Sequence, residues 1–361
     1  MLSMLSILTQ RLRNQRLLGP RLTTPAAVVD HLCAVQAQDP TGARWAVAQR
    51  TTDPSDAAVR AALDAGTIVR THVLRPTWHY VMAGDVRWML ALTAPRIRNA
   101  AAAYYRQAGL TPTVFATCHA VVARALEGGR HLTRRDISAA LARHGHVLEG
   151  QAIGHVMMQA ELDALVCSGT SQGTQATYAL LDERVQPAPP MSRDEALATL
   201  ALRYFRSRGP ALTADFAWWS GLTVGDAKAA IAMIAPQLEK HRVDGLEYWH
   251  TGETAGRTQV IAHLLPNFDE YTVAYRDRRR LWSSQRPSME ALGNVVAIEG
   301  RLVGIWSRGL AGGHLTIETT LDRRVTDAER RLIGREARRY AAHLSPDLDV
   351  RVMEHARTRR S

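Results

Sequence analysis

The chain has 361 residues, of which 46% are hydrophobic, and its 45 Lys and Arg against 34 Asp and Glu give a formal net charge of +11. This length and composition exclude an intrinsically disordered chain and predict about two to four compact units. No apolar run reaches the roughly 18 residues that cross a bilayer, and the N-terminal apolar stretch is too short for a signal peptide, so we expect a cytoplasmic protein.

The cysteine and lysine contents limit the chemistry further. Cys33, Cys118 and Cys167 are far apart and show no CxxC spacing, which argues against a disulfide framework and a zinc site. Lysine occurs only at Lys228 and Lys240, so few amines are available for a Schiff base. The net charge of +11 indicates a polyanionic partner, the alternative being a basic surface that binds no nucleic acid.

The first predicted unit spans residues 1–110. Helices are expected over 3–17, 24–38 and 54–65, followed by the β-rich stretch TIVRTHVLRPTWHYVM. The second helix reaches Gln36-Ala37-Gln38 and stops at Asp39-Pro40, because a residue before proline avoids the helical conformation. In an extended exit, Gln36 and Gln38 would direct both amides to the same side.

The next two units repeat one pattern, a set of helices followed by a strand pair. The second unit, 111–190, is predicted to contain helices 113–126, 134–143 and 151–164 and a turn at Ser171-Gln172-Gly173. The third, 191–257, follows a proline-rich linker and has a turn at Gly221, a helix cap at Thr223 and a hairpin at Asp244-Gly245. We therefore expect three tandem winged helices.

The last predicted unit, 258–361, alternates apolar and polar residues with glycine turns and ends in an amphipathic helix capped by Thr326. This pattern is typical of a small twisted sheet or partial barrel with one helix packed on it. The fold class is thus α+β, mainly α, with three winged-helix motifs and a C-terminal β-rich region.

The candidate recognition helices of these motifs carry few side chains that reach base edges. VGDAKAAIAMIAP and GHVMMQAELDALV are rich in alanine, methionine and leucine, so we interpret both as core elements. A DNA surface would then be built from arginines elsewhere, with a solvated charge run as the alternative for each. The candidates are Arg134, Arg135, Arg276, Arg278, Arg279 and Arg280.

Six blocks of the sequence carry a resemblance to a known family. They are AVQAQDP, RTHVLRPTWHYV, QATYALLDERV, DFAWWSGLT, LLPNFDEYTVAYRDRR and GNVVAIEGRLVGIWSR. In this order they resemble the winged-helix DNA glycosylases of the AlkZ and YcaQ type, over about residues 5–350. The resemblance implies a C-shaped molecule with a basic concave surface for DNA, and excision of alkylated purines, including the unhooking of interstrand crosslinks made by antibiotic alkylators.

The family's catalytic motif is Gln, an apolar residue, then Gln or Asp, and this sequence has Gln36-Ala37-Gln38. It is therefore similar to the AlkZ-like branch and departs from the YcaQ branch, which has Asp at the second position. A purine alkylated at N7 is already cationic and leaves without protonation. Amide oxygens then need only hold a water and stabilise an oxocarbenium-like transition state. Without the resemblance, two glutamines near a helix end would be read as a C-terminal cap.

Other residues are weaker candidates. His79 is a candidate for lesion or phosphate contact, with a satisfied strand histidine as the alternative. Asp269 is a candidate pocket carboxylate, with a turn residue or a salt bridge to Arg276 as the alternative. Neither lysine is expected to act as a lyase amine, so we expect monofunctional hydrolysis that leaves an abasic site. No metal or nucleotide motif is found, so no cofactor is expected.

Two other functions remain open at this point. One is a non-catalytic winged-helix regulator, which would keep its whole function when Gln36 and Gln38 become alanine. The other is a glycosylase for simple N7-methylpurines that does not process crosslinks. We expect a monomer that acts on double-stranded DNA containing alkylated purines, without membrane association and in contact with the bacterial nucleoid when bound.

Overall fold

The computed structural model describes residues 3–252 and 260–356. By contact density the chain divides into two compact units. Unit 1 comprises the described residues of Met1–Val59, Ala198–Trp219 and Thr223–Ser361, and unit 2 comprises Arg60–Leu197 and Ser220–Leu222. The division into four regions by sequence, 1–110, 111–190, 191–257 and 258–361, stays a prediction.

Helices dominate both units, in agreement with the expected α+β class. In chain order they are α1 (Met4–Asn14), α2 (Pro25–Leu32), α3 (Pro40–Ala48), α4 (Asp56–Asp64), α5 (Val86–Gln107), α6 (Pro112–Leu126), α7 (Arg134–Arg143), α8 (Ala152–Leu162), α9 (Leu181–Arg184), α10 (Arg193–Arg208), α11 (Thr213–Ser220), α12 (Val224–Met233), α13 (Glu270–Val273) and α14 (Asp327–Leu344).

The strands are short except near the C-terminus. They are β1 (Ala34–Gln36), β2 (Ile68–His72), β3 (Trp78–Met82), β4 (Leu132–Thr133), β5 (Val166–Ser168), β6 (Thr177–Leu180), β7 (Glu239–Val243), β8 (Leu246–His250), β9 (Ala262–Leu265), β10 (Val295–Ile298), β11 (Arg301–Ala311), β12 (His314–Leu321) and β13 (Asp349–Ala356).

Unit 1 contains the predicted C-terminal sheet. Five strands lie in the order β13-β12-β11-β10-β9, and β13 is parallel to β12 whereas the other pairs are antiparallel. Helix α14 packs on β9, as expected. Leu8 and Leu12 of α1 share one core cluster with Leu265 and Val295 of the sheet, so the N-terminal helix is part of this core.

The third helix-and-wing pattern is confirmed in its local details. Thr223 caps α12 through a reciprocal capping box with Asp226, and β7 pairs antiparallel with β8. Asp244 and Gly245 form the turn with φ of 50° and 76°, the left-handed conformation that a two-residue hairpin turn requires. Thr326 caps α14 in the same way as Thr223 caps α12.

Unit 2 contains the second pattern. Helices α6, α7 and α8 precede β5 and β6, and the three-stranded sheet has the order β4-β6-β5. Thr133 caps α7 through a capping box with Asp136, and β2 pairs antiparallel with β3. Helix α5, which contains Pro95, was not predicted because it lacks a clear start signal in the sequence.

The two candidate recognition helices differ in burial. In α8 every residue from Val156 to Leu162 is buried, which confirms its interpretation as a core element. In α12 the prediction is wrong, since only Ala227, Ala230 and Ile231 are buried, while Val224 and Met233 are 51% and 42% exposed. An alanine-rich helix presents apolar residues on every side, so composition does not define its buried face.

The thiols of Cys33, Cys118 and Cys167 are buried, and none of the three forms a disulfide bond, as the sequence predicts. Within the described residues, we found no helix long and apolar enough to cross a membrane.

Candidate active site

The segment that carries the two glutamines is extended, and the predicted helix over 24–38 is wrong at its C-terminal end. Helix α2 ends at Leu32, and Cys33 adopts φ of 65°, a conformation that ends a right-handed helix. Residues 34–36 form β1. Gln36 is 6% exposed and Ala37 is fully buried, whereas Gln38 is exposed. That both amides point to one side stays a prediction, because the strand ends at Gln36.

Asp39 and Pro40 begin a helix rather than only ending one. The Asp39 carboxylate accepts from the backbone N–H groups of Thr41 and Gly42, both at 3.1 Å, and Pro40 occupies the first turn of α3, where its missing N–H costs nothing. A Cβ at Gly42 would lie 2.7 Å from Asp39 Oδ2. The sequence QDPTG thus defines a tight transition from the glutamine segment into α3.

Beneath this segment lie two adjacent ion pairs, here called the ionic layer: Arg50 with Asp269, and Arg208 with Glu270. All four side chains are fully buried. In the second pair, Arg208 donates to Glu270 Oε2 from Nε at 3.0 Å and from Nη2 at 2.6 Å. Trp219 Nε1 donates to the same oxygen at 3.0 Å.

The ionic layer holds the backbone of the glutamine segment. The N–H of Gln36 donates to Glu270 Oε1 at 2.8 Å. Arg208 donates to the carbonyl oxygens of Leu32 and Ala34, both at 2.7 Å. The backbone from the end of α2 at Leu32 to the end of β1 at Gln36 is therefore fixed by one buried arginine and one buried carboxylate.

Asp269 is placed differently from Glu270, although the two are adjacent. Arg50 binds it in a bidentate manner, at 2.9 Å and 2.8 Å, and Gln49 Nε2 donates to it at 3.0 Å. It also caps α13 by accepting from Tyr271 N at 2.8 Å. Its salt-bridge partner is Arg50 and not Arg276, as the sequence had led us to consider. Because the Asp269 carboxylate is fully buried and bound by these donors, the structure favours a supporting role for Asp269 over contact with the lesion.

The rest of the LLPNFDEYTVAY block has a related structural role. Tyr271 donates to the Gly300 carbonyl at 2.8 Å, and Tyr275 donates to the Arg208 carbonyl at 2.9 Å. Gln15 donates to the Tyr275 hydroxyl at 3.0 Å. Burial raises the pKa of Tyr275 to about 12, so this phenol stays neutral. The block therefore connects the ionic layer to α1, α10 and the C-terminal sheet.

His79 lies on β3 in unit 2 and is fully buried. Its Nδ1 is 2.9 Å from the Thr77 carbonyl oxygen, and its Cα partner on β2 is Thr71. Burial and the Nδ1 contact fit a structural strand histidine, and a contact with the lesion stays a prediction.

The six predicted DNA-binding arginines separate by exposure. Arg134 and Arg135 are exposed in the first turn of α7, and Arg276 is exposed after α13. For Arg278 the prediction of a DNA contact is wrong. Its side chain is 2% exposed, lies 5.0 Å from the Trp218 ring centroid and donates to the Thr272 carbonyl at 3.2 Å. It cannot reach a phosphate without leaving the core. Arg279 and Arg280 pair with Asp277 and Asp244.

A second feature of unit 1 is the hairpin formed by β11 and β12. Val295, the first residue of β10, pairs with Leu265 of β9 on one side and with Ile305 of β11 on the other. Residues 306–311 of β11 therefore extend beyond this end of β10. Trp306 Nε1 donates to the Leu265 carbonyl at 2.8 Å, and Leu265 leads directly into the Asp269-Glu270 segment. The hairpin therefore projects from the sheet end that carries the ionic layer, and Leu310 near its tip is 63% exposed.

Among the described residues, one group could hold a metal ion, namely Glu239, His241 and His250 on the β7–β8 wing. The two imidazoles are stacked with centroids 4.8 Å apart and planes 9° from parallel. His250 Nδ1 also accepts from Gly252 N at 3.1 Å. Lone pairs in separate parallel planes do not converge on one ion, so this geometry does not favour a metal centre.

Sequence reasoning missed Arg50, Arg208, Trp219 and Glu270. The only local signal was the carboxylate pair in NFDEY and the tryptophans in DFAWWSG, inside blocks that had been quoted for their resemblance. Arg208 and Glu270 are separated by 62 positions, so no local pattern links them.

The family model described as "DNA glycosylase AlkZ-like" matches residues 29–343, and the chain belongs to this family. It is therefore an enzyme that hydrolyses N-glycosidic bonds in DNA.

Two comparisons with individual proteins agree with the family. The "Interstrand DNA cross-link repair glycosylase" of Streptomyces sahachiroi is 26% identical over 320 residues, which cover 81% of this chain and 84% of that protein. The solved structure of Streptomyces sahachiroi DNA glycosylase AlkZ superimposes with a TM-score of 0.78 at 22% identity, covering 98% of this chain and 100% of that chain. The structural match shows the fold.

Proposed function

We propose that this enzyme excises N7-alkylated purines from double-stranded DNA, including bulky adducts or interstrand crosslinks made by a DNA-alkylating natural product. Excision would thereby repair the DNA or give self-resistance to that natural product. The similarity to a crosslink repair glycosylase supports the lesion class. The observation that carries the chemistry is the glutamine segment, which the ionic layer holds at Leu32, Ala34 and Gln36. It carries two amides, Gln36 and Gln38, and no acid between them.

Amide oxygens suit this leaving group. The cationic base departs without protonation, so the enzyme must hold a water against C1′ and stabilise the developing positive charge on the sugar. Gln36 and Gln38 would accept hydrogen bonds from that water. Three carboxylates lie next to the glutamine segment in sequence or in the ionic layer, namely Asp39, Asp269 and Glu270. Each of them accepts hydrogen bonds from backbone N–H or arginine groups. These bonds favour the amides over a carboxylate base.

A lyase step is not part of this proposal. The chain has two lysines. Lys228 is exposed on α12, and Lys240 lies on β7, 3.2 Å from the Glu247 carboxylate. Neither has the desolvated surroundings that activate an amine. We expect simple hydrolysis that leaves an abasic site, without a cofactor.

DNA would be held by the exposed arginines Arg134, Arg135 and Arg276 and probed by the 301–321 hairpin. Proteins that distort duplexes insert apolar side chains between base steps, and the exposed apolar side chain of Leu310 suits this role. An open site that works on the base in or near the duplex would accept adducts too large for a closed pocket. The enzyme would act as a monomer on chromosomal DNA in the cytoplasm.

The test is release of free base from a duplex that contains one N7-methylguanine, read as alkali-labile strand cleavage. Wild type is compared with Gln36→Ala and Gln38→Ala, and DNA affinity is measured for all three. We expect base release to fall at least about 100-fold in each variant, with affinity within about twofold of wild type. Unchanged release in both variants would refute the assignment of the two amides.

Substrate range is tested with a crosslinked duplex in the same assay. Unhooking of the crosslink supports the lesion class proposed here. Release of N7-methylguanine without unhooking would restrict the enzyme to simple N7-methylpurines.

A further inference from the structure

We propose that Glu270 is a positioning residue for base excision and that it acts through the backbone of Gln36. This inference rests on the proposed function, since it gives Glu270 a role in hydrolysis only if Gln36 and Gln38 carry the chemistry. No pattern in the sequence distinguished Glu270 from Asp269 beside it.

The two oxygens of Glu270 have separate tasks. Oε2 accepts three bonds, two from Arg208 and one from Trp219 Nε1. Oε1 accepts the backbone N–H of Gln36 at 2.8 Å. The carboxylate thus links the ion pair to the glutamine segment, and its charge strengthens the bond to that N–H.

Arg208 holds two further points on the same segment. Its Nη1 and Nη2 donate to the carbonyls of Leu32 and Ala34, and Gln36 is the next alternate residue. Ala34 and Gln36 are alternate residues of the three-residue strand β1, so their backbone groups lie along one edge. The pair therefore fixes the segment at three points, one at the end of α2 before the turn at Cys33 and two along β1.

Stability alone does not account for this arrangement. Replacing a buried ion pair by apolar side chains of similar volume is often neutral or stabilising. What an ion pair adds is direction, because charged hydrogen bonds fix the position of the groups that they join. A displacement of about 1 Å at a reacting centre can cost roughly 100-fold in rate.

The decisive variant is Glu270→Asp. It keeps a carboxylate for Arg208 but withdraws the oxygens by about 1.5 Å, one carbon–carbon bond, so the bond to the Gln36 N–H is lost. We expect the single-turnover rate constant for release of N7-methylguanine to fall at least about 10-fold. The dissociation constant for the same duplex should stay within about twofold, and amide hydrogen exchange of residues 34–38 should become faster.

Glu270→Gln has a matched control in the chain. Asp322 also forms a buried pair with an arginine, Arg286, with both side chains 3% exposed, and accepts from Ser284. Asp322→Asn likewise removes one buried carboxylate charge, and Arg286 keeps Glu290 as a second partner at 2.6 Å. Both amide variants should lose thermal stability, but only Glu270→Gln should lose rate.

The outcomes separate the two proposals. Provided that Gln36→Ala remains inactive, either of two results overturns the positioning role of Glu270. One is a wild-type rate in Glu270→Asp, and the other is an equal loss of rate in Asp322→Asn and Glu270→Gln. A wild-type rate in Gln36→Ala overturns both proposals. If Glu270→Asp is unfolded by circular dichroism, Arg208→Lys gives the same readout, because one ammonium cannot reproduce the bonds of the guanidinium to Glu270, Leu32 and Ala34.

Discussion

The ionic layer and the 301–321 hairpin lie at the same end of the C-terminal sheet and are built in opposite ways. The layer places four charged side chains out of water and satisfies them with one another and with backbone groups. The hairpin places an apolar side chain, Leu310, in water. Burial of charges is unfavourable unless they are paired, whereas a single exposed leucine is common at a protein surface. The difference teaches that one region keeps a geometry within the protein, whereas the other presents a side chain that the proposed function uses.

The largest effect that tests this contrast is on stability. Arg208→Met leaves the Glu270 carboxylate buried without its cation, and we expect the free energy of unfolding to fall by about 3–5 kcal/mol in urea denaturation. The double variant Arg208→Met/Glu270→Leu should recover most of that loss. A single variant as stable as wild type would show that the layer is not tightly desolvated.

A second effect is on pH dependence and concerns His31, at the last turn of α2. The pKa of His31 is lowered to about 4, mainly by burial and also by Arg16, Arg208 and Arg206, against the hydrogen bond to the Asn14 carbonyl. Since the folded pKa lies below the unfolded value of about 6.5, the folded state is favoured by the neutral ring. Stability should therefore decrease as pH falls from 6.5 towards 4.

The magnitude for His31 is roughly 3 kcal/mol at the acid end, from about 1.4 kcal/mol for each pKa unit. It is measured as the difference in unfolding free energy between wild type and His31→Gln at pH 7 and pH 4. His31→Gln should lose less stability on acidification. An identical loss in both proteins would show that other groups near this end of the segment dominate.

For the hairpin, Leu310→Ser should leave the unfolding free energy unchanged, because the side chain is mostly exposed. DNA carrying a bulky lesion should bind about 10-fold more weakly, equivalent to roughly 1.4 kcal/mol. The measurement is fluorescence anisotropy with lesion-containing duplex. If stability falls and affinity does not, the tip is part of the fold and the contrast with the ionic layer fails.

The smallest effect separates two neighbouring arginines by the same criterion of burial. Arg276→Gln should reduce the slope of log affinity against log salt by about 0.9, the contribution of one phosphate contact, without a change in stability. Arg278→Gln should reduce stability and leave the slope unchanged, since Arg278 is 2% exposed. Equal slopes for Arg276→Gln and wild type would remove Arg276 from the DNA surface.

Features that depend on short stretches of chain were predicted well. The caps at Thr223 and Thr326 and the turn at Asp244-Gly245 are set by the residues that form them, because a side chain caps the helix that it precedes. The family was predicted on six sequence blocks and is confirmed over residues 29–343.

Features that depend on distant partners were predicted poorly. The helix over 24–38 was extended past Leu32, since the apolar pattern continues to Gln36 and nothing nearby in sequence shows that Arg208 and Glu270 hold the chain extended. Arg278 was placed on the surface because it lies in a run of charges, but Trp218 and the Thr272 carbonyl bury it.

The sequence by itself determined the class of fold, the family and the two glutamines as the candidate catalytic residues, because caps, turns and motif residues are encoded locally. The tertiary structure decided which charged residues support that motif. Asp269 and Glu270 are chemically similar and adjacent, yet one binds Arg50 and caps α13 while the other binds Arg208 and the Gln36 N–H. That difference arises from which groups folding brings to each carboxylate from distant positions in the chain.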